Sequence, residues 1–152
     1  MTRLGKFRAH AWPDRMLLLE ALLWLAWSKL LLLLVPFRWI APHLGRAQTE
    51  SSAEISDKER DVAERVSWAV QSIANHIPLG LVCLPQAMAA KWMLRRRGIA
   101  STLYLGIARP ADKRFTAHAW LRAGQKILTG RREKESHAPI ASFAEKTPAP
   151  LP

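Results

Sequence analysis

Between Pro13 and Pro36 the chain reads PDRMLLLEALLWLAWSKLLLLLVP, and within it the twenty residues Met16–Val35 form a long apolar helical run. A helix of that length reaches about 30 Å, enough to cross a bilayer. Its surface must be covered by the chain's own core, by a partner or by lipid. Glu20, Ser28 and Lys29 interrupt the run. A carboxylate near the middle of a span is costly, and so short a chain offers no compensating polar pathway. The run is also too long, and starts too late, for an ordinary signal peptide, and no small-residue cleavage site follows it. Three readings remain, in this order: a helix packed on the domain or on a partner protein, a helix lying at a membrane surface with Trp24, Trp27 and Trp39 at the interface, and a true span. The leucine density implies that part of this surface is covered only when a partner is present.

The remaining composition narrows the class. A chain of 152 residues accommodates one domain with a real core plus an appendage. Its hydrophobic content of 49% is too high for disorder. A single cysteine excludes a disulfide framework and suits a reducing cytoplasm. The formal charge of +11 is uneven: residues 1–49 carry +5, residues 50–81 carry −3 and residues 82–152 carry +9. Arg95–Arg97 and Arg131–Arg132 are short clusters with no aromatic stacking platform, so they read as solvated basic faces and not as a specific nucleic-acid site. The five histidines lie far apart, with no CxxC or HExxH spacing, so no metal is expected. There is no GxSxG elbow or phosphate loop, and no cofactor is expected.

Beyond a basic arm over residues 1–12 and the apolar helix, Ala41–Ser52 reads as a connector. Ser56-Asp57-Lys58-Glu59 then fits a capping box. Val62, Val66, Ala69, Ile73 and Ile77 share one face of the helix it starts, with Val70 and Ala74 beside them, and the helix ends near His76 before Pro78. Next comes CLPQAMAAKWMLRRRG, Cys83–Gly98. Pro85 suits a first turn, the alanines favour helix, and Gly98 is a good stop, so a helix is predicted over about Leu84–Arg97 with Cys83 at its start. Arginines fill the carbonyl end, and the amino end of a helix favours the thiolate form of a cysteine placed there. Cys83, Ala87, Ala90 and Leu94 form a small apolar stripe that lets another element approach closely.

Strands follow at Ser101–Ala108, Phe115–Arg122, Lys126–Thr129 and Ala138–Phe143, with a hairpin turn at Ala123-Gly124. In FTAHAWLR, Phe115, Ala117, Ala119 and Leu121 make the core face, and His118 lies opposite beside Trp120, where a helix end packed across the sheet would meet it. The fold class is α+β, with N-terminal helices and the cysteine helix packed on a small antiparallel sheet. A cysteine at a helix start and a histidine on a strand suit thiolate–imidazole catalysis. The same two residues also fit an inert small hydrophobe and a structural histidine.

Cys83-Leu84-Pro85-Gln86-Ala87, Leu94–Ile99 (LRRRGI), Leu105-Gly106 and Ala117-His118-Ala119-Trp120, together with the leucine-rich segment before them, give a chain that resembles the stand-alone lasso-peptide leader peptidases of the transglutaminase-like superfamily. The resemblance implies a papain-like or transglutaminase-like domain over residues 50–146, after the basic arm and apolar helix of residues 1–49 and before a proline-rich tail at 147–152. It implies Cys83 as nucleophile, His118 as base, and hydrolytic removal of a leader from a ribosomally made precursor. It also implies two partners: a separate leader-binding recognition protein and an ATP-dependent macrolactam synthetase that closes the freed core. The acid that orients the histidine in many relatives falls near Gly130, which has no carboxylate. Asp112, Glu133 and Glu135 are the nearest acids, Asn75 and Gln125 offer amides, and the third member stays unassigned. Trp120 reads equally as a wall of the site or as a packed strand aromatic. Two other classes stay open: acyl transfer to an amine, and a non-catalytic scaffold docked through Met16–Val35. The expected location is the cytoplasm, peripheral at the inner membrane face.

Overall fold

The computed structural model describes residues 12–78, 80, 82–108, 116–130 and 138–145. Helix α1 (Trp12–Leu34) is followed by a single helical turn, α2 (Phe37–Ile40), a 3₁₀ turn (Ala41–Leu44) and a two-residue strand, β1 (Arg46–Ala47). Helices α3 (Asp57–His76) and α4 (Cys83–Arg96) precede β2 (Thr102–Ala108), β3 (Thr116–Ala123), β4 (Lys126–Thr129) and β5 (Ala138–Ala144). The described strands form one antiparallel sheet in the order β1-β5-β2-β3-β4. The α+β class, the capping box of Ser56 and Glu59, and the limits of α3, α4 and β4 agree with the sequence reading to within a residue. The connector does not: α2 and β1 lie inside or beside it, too short to show any periodicity. The basic arm and the proline-rich tail fall outside the described residues, apart from Trp12 at the start of α1.

Helix α4 lies at the centre, against α1 and α3 on one side and β2, β3 and β4 on the other. Its residues Ala87–Leu94 are all buried, so nearly every direction around it is core. The exception in character is Lys91, which is fully buried. Its Nζ donates to the Ser101 carbonyl at 2.7 Å and to Glu145 Oε2 at 3.1 Å. The other Glu145 oxygen accepts from Nε and Nη2 of Arg95, and the Ser101 N–H also donates to Glu145. Burial pushes the Lys91 ammonium down to about 8, against the opposing pull of Glu145. Burial raises Glu145 too, but Lys91 and the Ser101 N–H outweigh it and hold the carboxyl below 4.5. This cluster ties the middle of α4 to the loop before β2 and to the end of β5.

Helix α1 answers part of the question posed by its leucines. Leu17, Leu18, Ala21, Leu25 and Ser28 are buried, and the helix packs on α3 and α4. Glu20, costly for a span, binds Arg96 at 2.8 Å and Arg97 at 2.6 Å. That pairing corrects the reading of Arg95–Arg97 as merely solvated: all three are tied to carboxylates by the fold. Among the described residues α1 is the one helix long and apolar enough to cross a membrane. Its inner face is packed on α3 and α4, while its outer face is left exposed.

At the outer edge of the sheet, Ser67 Oγ and Gln71 Nε2 of α3 both donate to the Leu128 carbonyl, each at 2.6 Å. They occupy an acceptor that an edge strand would otherwise present to another chain.

Two outcomes are expected. Glu145→Ala leaves a buried ammonium without its main counter-charge and should cost about 3 kcal/mol or more in urea denaturation, whereas Lys91→Met, which removes the charge itself, should cost clearly less. The hydrogen bond from Arg97 leads the causes that hold Glu20 below 4.5, and Glu145 is also held below it. Carboxylates depressed in the folded state stabilise it fully above 4.5 and lose that contribution as pH falls through their folded values. Unfolding free energy should therefore drop on acidification below about pH 4.5. The drop should be shallower in Glu20→Gln, measured by denaturant titration at a series of pH values.

Candidate active site

Val82 is extended, at φ −84° and ψ −159°, and the chain enters α4 at Cys83. The Gln86 N–H already reaches back to the Val82 carbonyl at 3.2 Å, and Pro85 has no N–H. The Cys83 and Leu84 N–H groups, at the open end of the helix, have no intrahelical acceptor. The thiol is partly buried and packs against the core cluster.

Cys83 at this helix start lies near His118: both line one cavity of about 260 Å³. Leu84 completes the helix contribution. Three consecutive residues of each central strand, Leu105–Ile107 and Ala117–Ala119, form the floor, and Phe37 and Ile140 close the sides. The walls are thus almost wholly apolar. Such a pocket makes few polar demands on what enters it.

The register defines how the pair is arranged. Leu105 pairs with Ala119 and Gly106 with His118 across an unbroken β2–β3 ladder. Ala119, Leu121 and Ala123 belong to the core that α4 packs on. Alternation therefore starts the His118 side chain on the other face, with Gly106 and Trp120. α4 crosses the face of Ala119 and Leu121, part of the core face read from the sequence, where the small Ala119 side chain lets a helix approach closely. β4 pairs with β3 only as far as Leu121, so among the described residues β3 has no strand neighbour beside His118 on that flank.

Trp120 does not line the cavity. It is buried and stacks on Tyr104, with centroids 5.6 Å apart and planes at 17°. Gly106 makes the space, since a Cβ there would fall 2.5 Å from the indole ring. The packed-aromatic reading of Trp120 is the one that fits. Below it, Tyr104 Oη donates to Glu50 at 2.7 Å and accepts from Arg122 Nε at 3.1 Å, and Arg122 Nη2 also reaches the Ser51 carbonyl. Burial, then the hydrogen bond to Glu50, raises the Tyr104 phenol. This network was missed in the sequence because Glu50 lies in a connector far from Tyr104 along the chain.

No third member comes from the position expected. Gly130 has φ +71°, and a Cβ there would lie 2.5 Å from the Ala119 carbonyl oxygen and 2.8 Å from the Trp120 Cβ. No carboxylate can be accommodated there without moving β3. Asn75 and Gln125 are exposed and do not line the cavity. Asp112, Glu133 and Glu135 fall outside the described residues. Among the described residues no group of three histidine, cysteine or acidic side chains is placed to hold a metal ion.

A cysteine on the first turn of a central helix, beside a histidine on the neighbouring antiparallel sheet, defines a class of thiol-dependent acyl-handling folds. The family comparison agrees: the model of the transglutaminase-like superfamily matches residues 31–142, and this chain belongs to that superfamily. The match starts within α1 and runs into β5. No curated protein matches, and no solved structure matches.

Gly130→Asp is expected to lower stability and not to improve any activity, since its side chain meets β3 backbone. Thermal denaturation should show the loss, and a variant as stable as the parent would mean that β3 gives way at Ala119.

Proposed function

We propose that this protein is a cysteine endopeptidase that removes the leader from a ribosomally made lasso-peptide precursor, with Cys83 and His118 as its catalytic pair. The observation that carries the reading is Cys83 on the first turn of α4, sharing an apolar cavity with His118 in a chain of the transglutaminase-like superfamily. The Cys83 thiolate attacks the scissile carbonyl, and the N–H groups of Cys83 and Leu84 receive the oxyanion. Protonated His118 gives its proton to the departing amine as the C–N bond breaks. Neutral His118 then takes a proton from water, which cleaves the thioester and releases the leader carboxylate. The step requires the imidazole within hydrogen-bond reach of the sulfur. A separate leader-binding protein delivers the precursor, and an ATP-dependent synthetase closes the freed core.

Purified protein incubated with a candidate lasso precursor, with and without a leader-binding partner, should yield two fragments by mass spectrometry. Cys83→Ala should abolish cleavage, a loss of at least about a thousandfold, with the fold intact by circular dichroism. His118→Ala should be similarly inactive and should alter the pH profile of Cys83 alkylation by iodoacetamide. Cleavage retained by Cys83→Ala overturns the assignment. A product carrying an added amine in place of a free carboxylate points to acyl transfer. A Cys83 that resists alkylation at neutral pH, with no product, points to a scaffold.

A further inference from the structure

The face of α1 turned away from the core is apolar from end to end. Leu19, Leu23, Trp27, Leu30, Leu33 and Leu34 are 45–72% exposed, a stripe at helical spacing about 22 Å long. Every exposed residue between Met16 and Leu34 is apolar, and only the Trp27 indole N–H could form a hydrogen bond. Protein interfaces ordinarily carry about one hydrogen bond per 100–200 Å² and a polar rim. A surface with almost no donor or acceptor along its length suits hydrocarbon better than a protein partner.

The two ends and borders of the stripe add charge and indole. Just beyond it, Trp39 is exposed beside Arg38. Trp24, Trp27, Trp39 and Trp92 gather round one groove of about 470 Å³, with His43 and Arg95 also on its walls. Lys29 donates to the neutral Gly80 carbonyl, and among the described residues no carboxylate pairs with Lys29 or Arg38. The acids close by are already taken: Glu20 is shared by Arg96 and Arg97, and Asp14 binds Arg65. The border is therefore cationic. Tryptophan favours the depth of lipid headgroups, where its ring is in apolar surroundings and its N–H is wet.

We infer that this face of α1 docks on an anionic lipid bilayer, lying in the plane of the membrane. The leucines enter the acyl boundary by about 5–10 Å, the tryptophans sit at headgroup level, and Lys29 and Arg38 meet lipid phosphate. The folded domain takes the place of the polar face that a free amphipathic helix would carry. No contact of the core is broken, because the buried face stays on α3 and α4. The inference is independent of the chemistry at Cys83.

The test is flotation of the purified full chain, without detergent, on vesicles of phosphatidylcholine mixed with phosphatidylglycerol, and on phosphatidylcholine alone. The chain should float with the anionic vesicles, less with the neutral ones, and less as salt is raised. Leu23→Gln, Leu30→Gln and Leu33→Gln together should weaken partitioning by about tenfold or more, with the circular dichroism spectrum unchanged. Should that triple variant fail to fold, Arg38→Glu, a change at one exposed side chain, should still lower partitioning onto the anionic vesicles several-fold. A parent chain that stays at the bottom of the gradient with anionic vesicles overturns the inference. In that case, concentration-dependent sedimentation would assign the face to a second copy, and a monomer throughout would assign it to a protein partner. Equal flotation of parent and folded triple variant overturns it as well.

Discussion

A helix enclosed on every side has to neutralise each polar group it carries, and α4 depends on this constraint more than any other element. Ala87, Ala89 and Ala90 let neighbours come close, while Lys91 alone brings a charge into the middle. Its partners, Ser101 and Glu145, belong to the segments that lead into β2 and out of β5. One ammonium thereby fixes the central helix to the sheet from inside, and Arg95 on the next turn grips the same carboxylate. The axis of α4, and with it the position of Cys83 at its open end, follows from these contacts. A buried ion pair of this kind adds little net stability, because the cost of desolvating its charges offsets their attraction.

The long leucine helix shows how one composition can serve two surroundings. Its buried side reaches the same core as α4, with Trp24 against Trp92 at 5.4 Å, and its one central acid lies between two arginines from the end of that helix. The arginines had looked like a solvated patch because their partner lies more than seventy residues earlier in the chain. The other side meets none of these demands, and its apolar character is unexplained by folding alone. Charge and packing on the inner face make the helix part of the domain, and only the outer face remains for something else.

At the cavity, the spacing of β3 separates what the motif AHAW seems to join. Period-two alternation sends Ala119 and Leu121 toward α4 and the histidine with the tryptophan to the reverse face, while Ala117 is exposed. Trp120 is held by Tyr104 and by the missing side chain at Gly106, so it is a structural aromatic that stiffens the reverse face beside His118. The apolar walls and the N–H groups at the start of α4 form the setting of the sulfur.

Local rules in the sequence determined the elements. Capping chemistry marked Ser56, proline and glycine bounded α4, and alternation gave β3 and β4, because each of these depends on neighbours a few residues away. Cys83 and His118 were legible for the same reason, as a residue at a helix start and a residue in a strand. Tertiary structure alone decided that Glu20, Glu50 and Glu145 would each find partners about fifty or more residues away, and that Gly130 would press against β3 with no room for a side chain. Those outcomes depend on long-range approach and on the exclusion of volume, which no local pattern along the chain encodes.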